Sequence, residues 1–273
     1  MQQLSATPAL ERAVGLGYRP ELAPWIATAP PEVECLEVVA EHFYDGGTEH
    51  LRELARRYPL FVHGLGLSLG TPGPLDPGDL ERFRGVVEAA RPRWVSEHVA
   101  FTRTPEVDLG HLNPVRPDAR TLAVLADHAR ELADACGVPV LLENVTSHLR
   151  IEGELSEPDF LNALCERAEC GLLLDVTNLH VNARNHRFDA LEWLRAIEPR
   201  HVVQLHVVGY SESHARLEDR HAEPIQKELW QLLEAVCDHA AVQAVVLERD
   251  ANFPAPEELA GELRGLRRTL DRA

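Results

Sequence analysis

The chain predicts a closed barrel of eight parallel strands alternating with helices, a (β/α)8 or TIM barrel, and three observations carry that reading. Short apolar runs recur eight times along the 273 residues, each four to eight residues long and rich in Val and Leu. That is how strands buried on both faces read. Longer amphipathic segments separate the runs, so strands and helices alternate and the sheet is parallel. Eight strands in about 250 residues fit a closed barrel better than an open sheet. The open, doubly wound alternative lacks its fingerprint, because Gly15-Leu16-Gly17 has no third glycine in place. No Ser/Gly/Pro-rich linker or repeat interrupts the rhythm, and residues 1–273 are expected to form a single barrel domain.

The elements follow in order. Ala13–Tyr18 and Glu34–Val39 are the first strand candidates, then Leu60–Gly64 and Trp94–Val99. The helix Leu122–Cys136 places Leu122, Leu125, Ala129 and Leu132 on one stripe and stops at Gly137. Val138–Val145 is the fifth strand. Ser156–Cys165 reads as a helix capped by Ser156 or Glu157, with Pro158 in its first turn. Gly171–Val176 is the sixth strand, and the polar stretch after it reads as a loop. Val202–Val207 and Val242–Glu248 complete the set, with a helix at Leu229–Cys237 between them. Pro254 and Pro256 mark the start of a last helix, Pro256–Leu270.

Composition excludes several classes of function. Lys and Arg number 27 against 44 Asp and Glu, a net charge of −17. A nucleic-acid binder needs a basic face, and an anionic membrane attracts one, so neither partner is expected. With 45% hydrophobic residues in regular runs, the chain is not disordered. No apolar stretch approaches the ~20 residues of a membrane span. The start, MQQLSATPALERAVGLGY, has no basic segment followed by an apolar one, so it is not a secretory signal and a cytoplasmic location is expected. The five cysteines, Cys35, Cys136, Cys165, Cys170 and Cys237, are odd in number and form no C-x-x-C pair. Reduced, inert thiols are the simplest reading.

Barrel enzymes build their sites where the strands end at their C-terminal side. Here the polar residues ending the runs are His63, Glu97-His98, Glu143-Asn144, Asp175, His206 and Glu248, on six of the eight strands. Any one of them alone reads as a hydrogen-bonded structural residue, Glu97-His98 as a paired dyad and Glu248-Arg249-Asp250 as an ion-pair cluster. Six acids and imidazoles converging on one mouth serve no need of barrel stability and are costly unless paired or coordinated. They point to metal. A second group lies in the loops: Asn178, His180 and His186 after Asp175, then Asp219-Arg220-His221 after His206. His180 and His186 read as ordinary loop residues. Asp219 and His221, on alternating positions, can face the same ion, and metal ligands and ordinary polar residues weigh about equally for them.

The donors are nitrogen and oxygen, with no cysteine at a strand end, which disfavours Cu(I) and iron–sulfur clusters and leaves Fe, Mn and Zn open. More than six donors exceed the needs of one ion, so two or three ions with a bridging carboxylate such as Glu143 use them better. A G-x-S-x-G elbow and a P-loop are absent, which removes serine hydrolases and P-loop NTPases. Gly64-Leu65-Gly66 and Gly70-Thr71-Pro72-Gly73 either admit a phosphate or a peptide backbone or only serve loop geometry.

The stretches VHGLGLSLG (62–70), SEHVAFT (96–102), LLENVTS (141–147), GLLLDVTNLHVNARNH (171–186), the Asp219-x-His221 step and VLERDANFP (246–254) carry a resemblance. Over roughly residues 15–255 and in matching order, the chain resembles the multinuclear non-haem iron-dependent oxidases. These are TIM-barrel enzymes of peptide natural-product biosynthesis, related in architecture to xylose isomerase and endonuclease IV. The resemblance implies two or three irons of mixed Fe(II)/Fe(III) state, O2 as co-substrate, and oxidation of a side chain, frequently cysteine, in a ribosomally made precursor peptide. Carried over, it implies that His63, His98 and Glu143 bind one iron, with Glu143 bridging to a second held by Asp175, His206 and Glu248. A third site would use Asp219, His221 and the amide of Asn178. His63, His98, Glu143, Asp175 and His206 are the implied catalytic set.

Two departures stand out. The family often has two adjacent asparagines where this chain has Thr177-Asn178. The segment after the Glu-His strand is Asp108-Leu109-Gly110-His111-Leu112-Asn113-Pro114 rather than rich in tyrosine or proline. A separate leader-binding partner protein is also implied, since the barrel consumes nearly all of this chain. Three alternatives use similar donors: a divalent-metal sugar isomerase, a phosphodiesterase of the same barrel class, and a non-enzymatic metal store. The −17 charge argues against nucleic-acid substrates, and the long motif agreement against the first two.

Overall fold

The structure, a computed structural model, describes residues 12–104, 106–214 and 216–273. The chain runs β1 (Ala13–Gly17), α1 (Ala23–Ile26), β2 (Cys35–Val39), α2 (Thr48–Ala55), β3 (Leu60–His63), α3 (Pro77–Ala90) and β4 (Val95–His98). A hairpin follows, β5 (Ala100–Arg103) and β6 (Asp108–Pro114), then α4 (Ala119–Cys136), β7 (Val140–Glu143), α5 (Glu157–Ala168) and β8 (Gly171–Asp175). The last third holds α6 (Val176–His186), α7 (Ala190–Ala196), β9 (Val202–Val207), a second hairpin of β10 (Gly209–Ser213) and β11 (Arg216–Glu223), α8 (Lys227–His239), β12 (Ala244–Leu247) and α9 (Pro256–Arg272).

Eight strands close a barrel in the order β1-β12-β9-β8-β7-β4-β3-β2, with every strand pair parallel. All eight expected runs are these strands. The helices cover the outer face, where one large apolar cluster joins them to the outward strand residues. Inside the barrel a smaller cluster packs Cys35, Phe61, Trp94, Leu141, Leu173 and Val246. Strand side chains alternate in direction, so two residues further on each strand points inward again, one level higher. Those positions are Glu37, His63, Glu143, Asp175 and Glu248, with His98 level with Glu143 across the β4–β7 pairing and His206 level with Asp175 across β8–β9. One period-two pattern thus builds an apolar plug below and a polar mouth above.

The expected helices form with local reasons. Asp118 caps α4 through the Thr121 N–H, and Gly137 ends it in the left-handed region (φ 67°). Ser156 caps α5 through the Asp159 N–H, with Pro158 in the first turn as expected.

Residues 176–186 correct the expected loop, because they form helix α6. Asp175 supplies the reason: its carboxylate accepts the N–H of Asn178 at 2.7 Å and caps the helix directly at the strand end. His180 is therefore a buried helix residue whose ring stacks on Tyr210, and His186 bonds the Ser147 carbonyl. Asp219 and His221 lie on β11 rather than in a loop. Neither hairpin carries an apolar run that marks it in the sequence. Among the described residues, no helix is long and apolar enough to cross a membrane.

Candidate metal centre

The strand ends bring the expected donors together. Three groups form in which one donor atom per residue lies within 4.8 Å of the others: His63, His98 and Glu143; Glu143, Asp175, His206 and Glu248; and Asp175, Asp219 and His221. Eight of the nine residues singled out from the sequence fall in these groups. The ninth, Asn178, adjoins the third group through Thr146, whose hydroxyl donates to Asn178 Oδ1 and lies 3.5 Å from Asp219 Oδ2. Asp250, read from the sequence only as part of an ion-pair cluster, does pair with Arg19 and also joins His221 and Glu248 in a fourth group at the rim. Glu97 ends a strand but points away from the mouth, where it accepts the Leu67 N–H at 2.8 Å and backs His98 Nδ1 at 3.6 Å.

The spacing within the groups is informative. Glu143 Oε2 lies 3.4 Å from both His63 Nε2 and His98 Nε2, and Glu143 Oε1 lies 3.3 Å from His206 Nδ1. These separations exceed a good N–H···O bond, whereas two ligands on one ion with bonds of about 2.0–2.2 Å stand roughly 3 Å apart. Several buried atoms here have no hydrogen-bond partner: Glu143 Oε2, Asp175 Oδ2, His206 Nδ1, Asp219 Oδ1 and His221 Nδ1. Orphaned acceptors and imidazole nitrogens facing one another in a buried pocket fit a set of cations.

Three of the donors are held from behind. Ser96 Oγ bonds His63 Nδ1 at 2.8 Å, which leaves Nε2 toward Glu143. The Asn144 side chain makes reciprocal bonds to the Asp175 backbone, at 2.9 and 3.0 Å. His206 Nε2 meets Glu37 Oε1 at 2.6 Å, leaving Nδ1 toward Glu143 and Glu248. Such outer partners orient metal ligands and select the imidazole nitrogen that binds. Sequence reasoning missed Glu37; its signal was a charged residue inside the apolar run ECLEVV, in phase with the inward positions.

The electrostatics express the crowding. Burial lowers the pKa of His63, and its neighbours His98 and His206 lower it further. Burial also opposes the charge of His98, but Glu143 and Glu97 outweigh it and raise the pKa to about 9. His206 and His221 are likewise raised against the burial effect, His206 mainly by Glu37, Glu248 and Glu143, and His221 by Glu248 and Asp219. Asp175 is pushed well up by burial and by the charges of Asp219 and Glu143. Protons thus balance the carboxylates, and cations would replace them. The glycine loop after β3 does not present its amides to an anion, because Leu65 and Gly66 N–H both donate to Glu41 Oε1.

The molecule's own thiols lie outside this chemistry. Burial raises the pKa of Cys35, to about 12 that of Cys136, and to about 11 that of Cys237. Cys165 is also raised, first by its bond to Cys170 and then by burial.

Known proteins place this architecture. D-psicose 3-epimerase from Clostridium cellulolyticum superposes with a TM-score of 0.62 at 14% identity, covering 95% of this chain and 97% of that one. Endonuclease IV from Thermus thermophilus superposes at 0.60 with 16% identity, covering 96% and 100%. At such identities the likeness concerns the fold, a xylose-isomerase-like barrel. In sequence, a UPF0276 protein of Rhizorhabdus wittichii is 34% identical over 255 residues, 92% of each chain. The profile described as RiPP precursor modification enzyme MbnB/TglH/ChrH matches residues 13–271. The chain therefore belongs to that family, whose enzymes modify the precursors of ribosomally made peptides.

Proposed function

We propose that the protein is a multinuclear non-haem iron oxidase that uses O2 to modify a side chain, most readily a cysteine, of a ribosomally made precursor peptide. The observation carrying this reading is Glu143. Its two oxygens face different donor groups, one toward His63 and His98 and the other toward His206, as a bridging carboxylate requires. On this reading His63, His98 and Glu143 hold one iron, and Glu143, Asp175, His206 and Glu248 hold a second. Asp175, Asp219 and His221, with the Asn178 amide, hold a third. Bound iron of mixed Fe(II)/Fe(III) state supplies the redox step with O2 and acidifies a coordinated thiol.

The rest is done by the polypeptide. Ser96, Glu97 and Asn144 keep the donors in place, and the apolar plug beneath them excludes water from below. No cysteine of this chain belongs to the donor groups, so we assign the reacting sulfur to the peptide. Beside the mouth, the segment after β7 and helices α5 to α7 wall a groove of about 780 Å³ that begins at Asn144 and Val145. Exposed Leu149, Ile151 and Leu155 line it, with Glu152 and Glu192 among its acids. We assign the flanking stretch of the peptide to this groove, the leader to a separate partner protein, and the whole reaction to the cytoplasm, which suits five free cysteines.

The test is aerobic: iron-loaded protein is mixed with a Cys-containing peptide encoded beside its gene, and O2 uptake and peptide mass are followed. O2-dependent mass change is expected. Turnover without O2, with Mn or Zn in place of iron, would instead identify an isomerase or a phosphodiesterase.

A further inference from the structure

Running from the mouth down into the barrel, four buried side chains form a hydrogen-bonded series that the barrel itself does not require. Trp94 Nε1–H donates to Gln204 Oε1 at 2.6 Å. Gln204 Nε2–H donates to Glu37 Oε2 at 2.5 Å. Glu37 Oε1 meets His206 Nε2 at 2.6 Å. Gln204 and His206 are fully enclosed, and Trp94 and Glu37 are each 3% exposed.

The closest contacts give the series a direction, although Gln204 Nε2 also lies 3.3 Å from His206 Nε2. An indole N–H is a donor only, so Trp94 fixes the Gln204 amide with its oxygen toward the indole and its NH2 toward Glu37. An ionised carboxylate accepts only, so with one oxygen taken by Gln204, the other accepts from His206 Nε2–H. In the neutral ring that binds a metal ion, Nδ1 of His206 is then the nitrogen left as a lone pair, facing Glu143 at 3.3 Å and Glu248 at 3.0 Å. Trp94 itself is locked by stacking on Phe61, with ring centroids 4.5 Å apart. A buried carboxylate among apolar neighbours is costly, and three hydrogen-bonding partners in a row are a poor bargain for stability alone.

We propose that Glu37 is a positioning residue for the second ion of the centre, aimed by Gln204 and Trp94 and acting through His206. The inference rests on the reading that Glu143, Asp175, His206 and Glu248 hold a metal. Glu37 sets which nitrogen of His206 binds and where the ring points, and Trp94 is the anchor that gives the series its sense.

Metal-stripped protein titrated with Co(II) tests this, read by visible absorption and by ions bound at saturation. Glu37→Gln presents an NH2 either to the Gln204 NH2 or to His206 Nε2–H, so one contact becomes donor against donor. It is expected to weaken the second ion about 10–100-fold and to alter its absorption band, while the ion at His63, His98 and Glu143 keeps its affinity. The double swap Glu37→Gln with Gln204→Glu restores every donor–acceptor pair with the charge moved one residue away, and is expected to recover the affinity and the band. Trp94→Phe keeps the ring on Phe61 but frees the Gln204 amide to turn; it is expected to show a smaller loss of the same ion, and serves if Glu37→Gln does not fold. Wild-type titration curves for Glu37→Gln or, in its absence, for Trp94→Phe overturn the proposal, as does a folded swap that recovers nothing. Wild-type protein that takes up no Co(II) overturns the metal reading itself.

Discussion

Replacing Asp175 separates its two duties. One oxygen caps α6 by accepting the Asn178 N–H at 2.7 Å, and the other, Oδ2, is buried without a partner among Glu143, Asp219 and His221. Asn caps helices as well as Asp, so Asp175→Asn keeps the first duty and removes the second. In metal-free protein it also relieves a crowded carboxyl, and the variant is expected to unfold within about 0.5 kcal/mol of wild type or above it. Asp175→Ala loses the cap, at about 1 kcal/mol, or roughly 2–4 °C for a chain of this size. Metal reverses the order. An ion at a hundred times its dissociation constant stabilises the folded state by about 2.7 kcal/mol, roughly 5–10 °C, and only wild type has the complete donor set. Thermal unfolding of all three proteins, metal-free and loaded, gives the comparison directly. If Asp175→Asn keeps both the bound ions and the full metal-induced shift, Asp175 is not a ligand.

Two further outcomes follow from the same geometry. The His98 pKa of about 9 in the folded, metal-free protein lies above its ordinary value of 6.5, so its contribution to stability is fully present below about pH 6.5 and fades as pH rises through 9. Metal binding must expel that proton, so metal-free protein is expected to melt lower and to bind metal tighter across this window, with proton release visible as buffer-dependent heat in calorimetry; flat profiles would contradict the ligand role. Leu149→Asp changes a residue that is 69% exposed in the groove wall. Melting temperature and metal content should stay at wild-type values while KM for the precursor peptide rises several-fold at constant kcat, and an unchanged KM would remove the groove from the peptide's path.

Most of the barrel was legible because buried parallel strands are the one element whose composition alone marks it. The run VVQLHV at 202–207 is strand β9 to the residue, and the polar residue ending each of several such runs proved to face the mouth. Helix α6 was not legible. Its sequence VTNLHVNARNH is half polar, and those polar groups are satisfied by partners far along the chain: Thr177 by Val208, Asn178 by Asn144, and Asn182 by Val145 and Ser147. Nothing within eleven residues records such bonds. The same limit hid Glu37, whose meaning depends on His206, on the far side of the barrel wall in sequence terms. The family motifs picked out residues that the fold gathers at the mouth; what they did not contain was the tier of residues hydrogen-bonded behind them.

The packed layer of Phe61, Trp94, Leu141, Leu173 and Val246 has a kinetic consequence. It closes the barrel from below, so in the reaction proposed above O2, peptide and product would all pass through the mouth. On that proposal a seated peptide would cover the mouth, and the two substrates would contend for passage even though they occupy different places at the end of it. Excess peptide should therefore slow turnover when O2 is scarce and cease to do so when O2 is abundant, a pattern that steady-state rates at two gas tensions reveal. Inhibition by peptide that ignores the O2 level would mean a second way in.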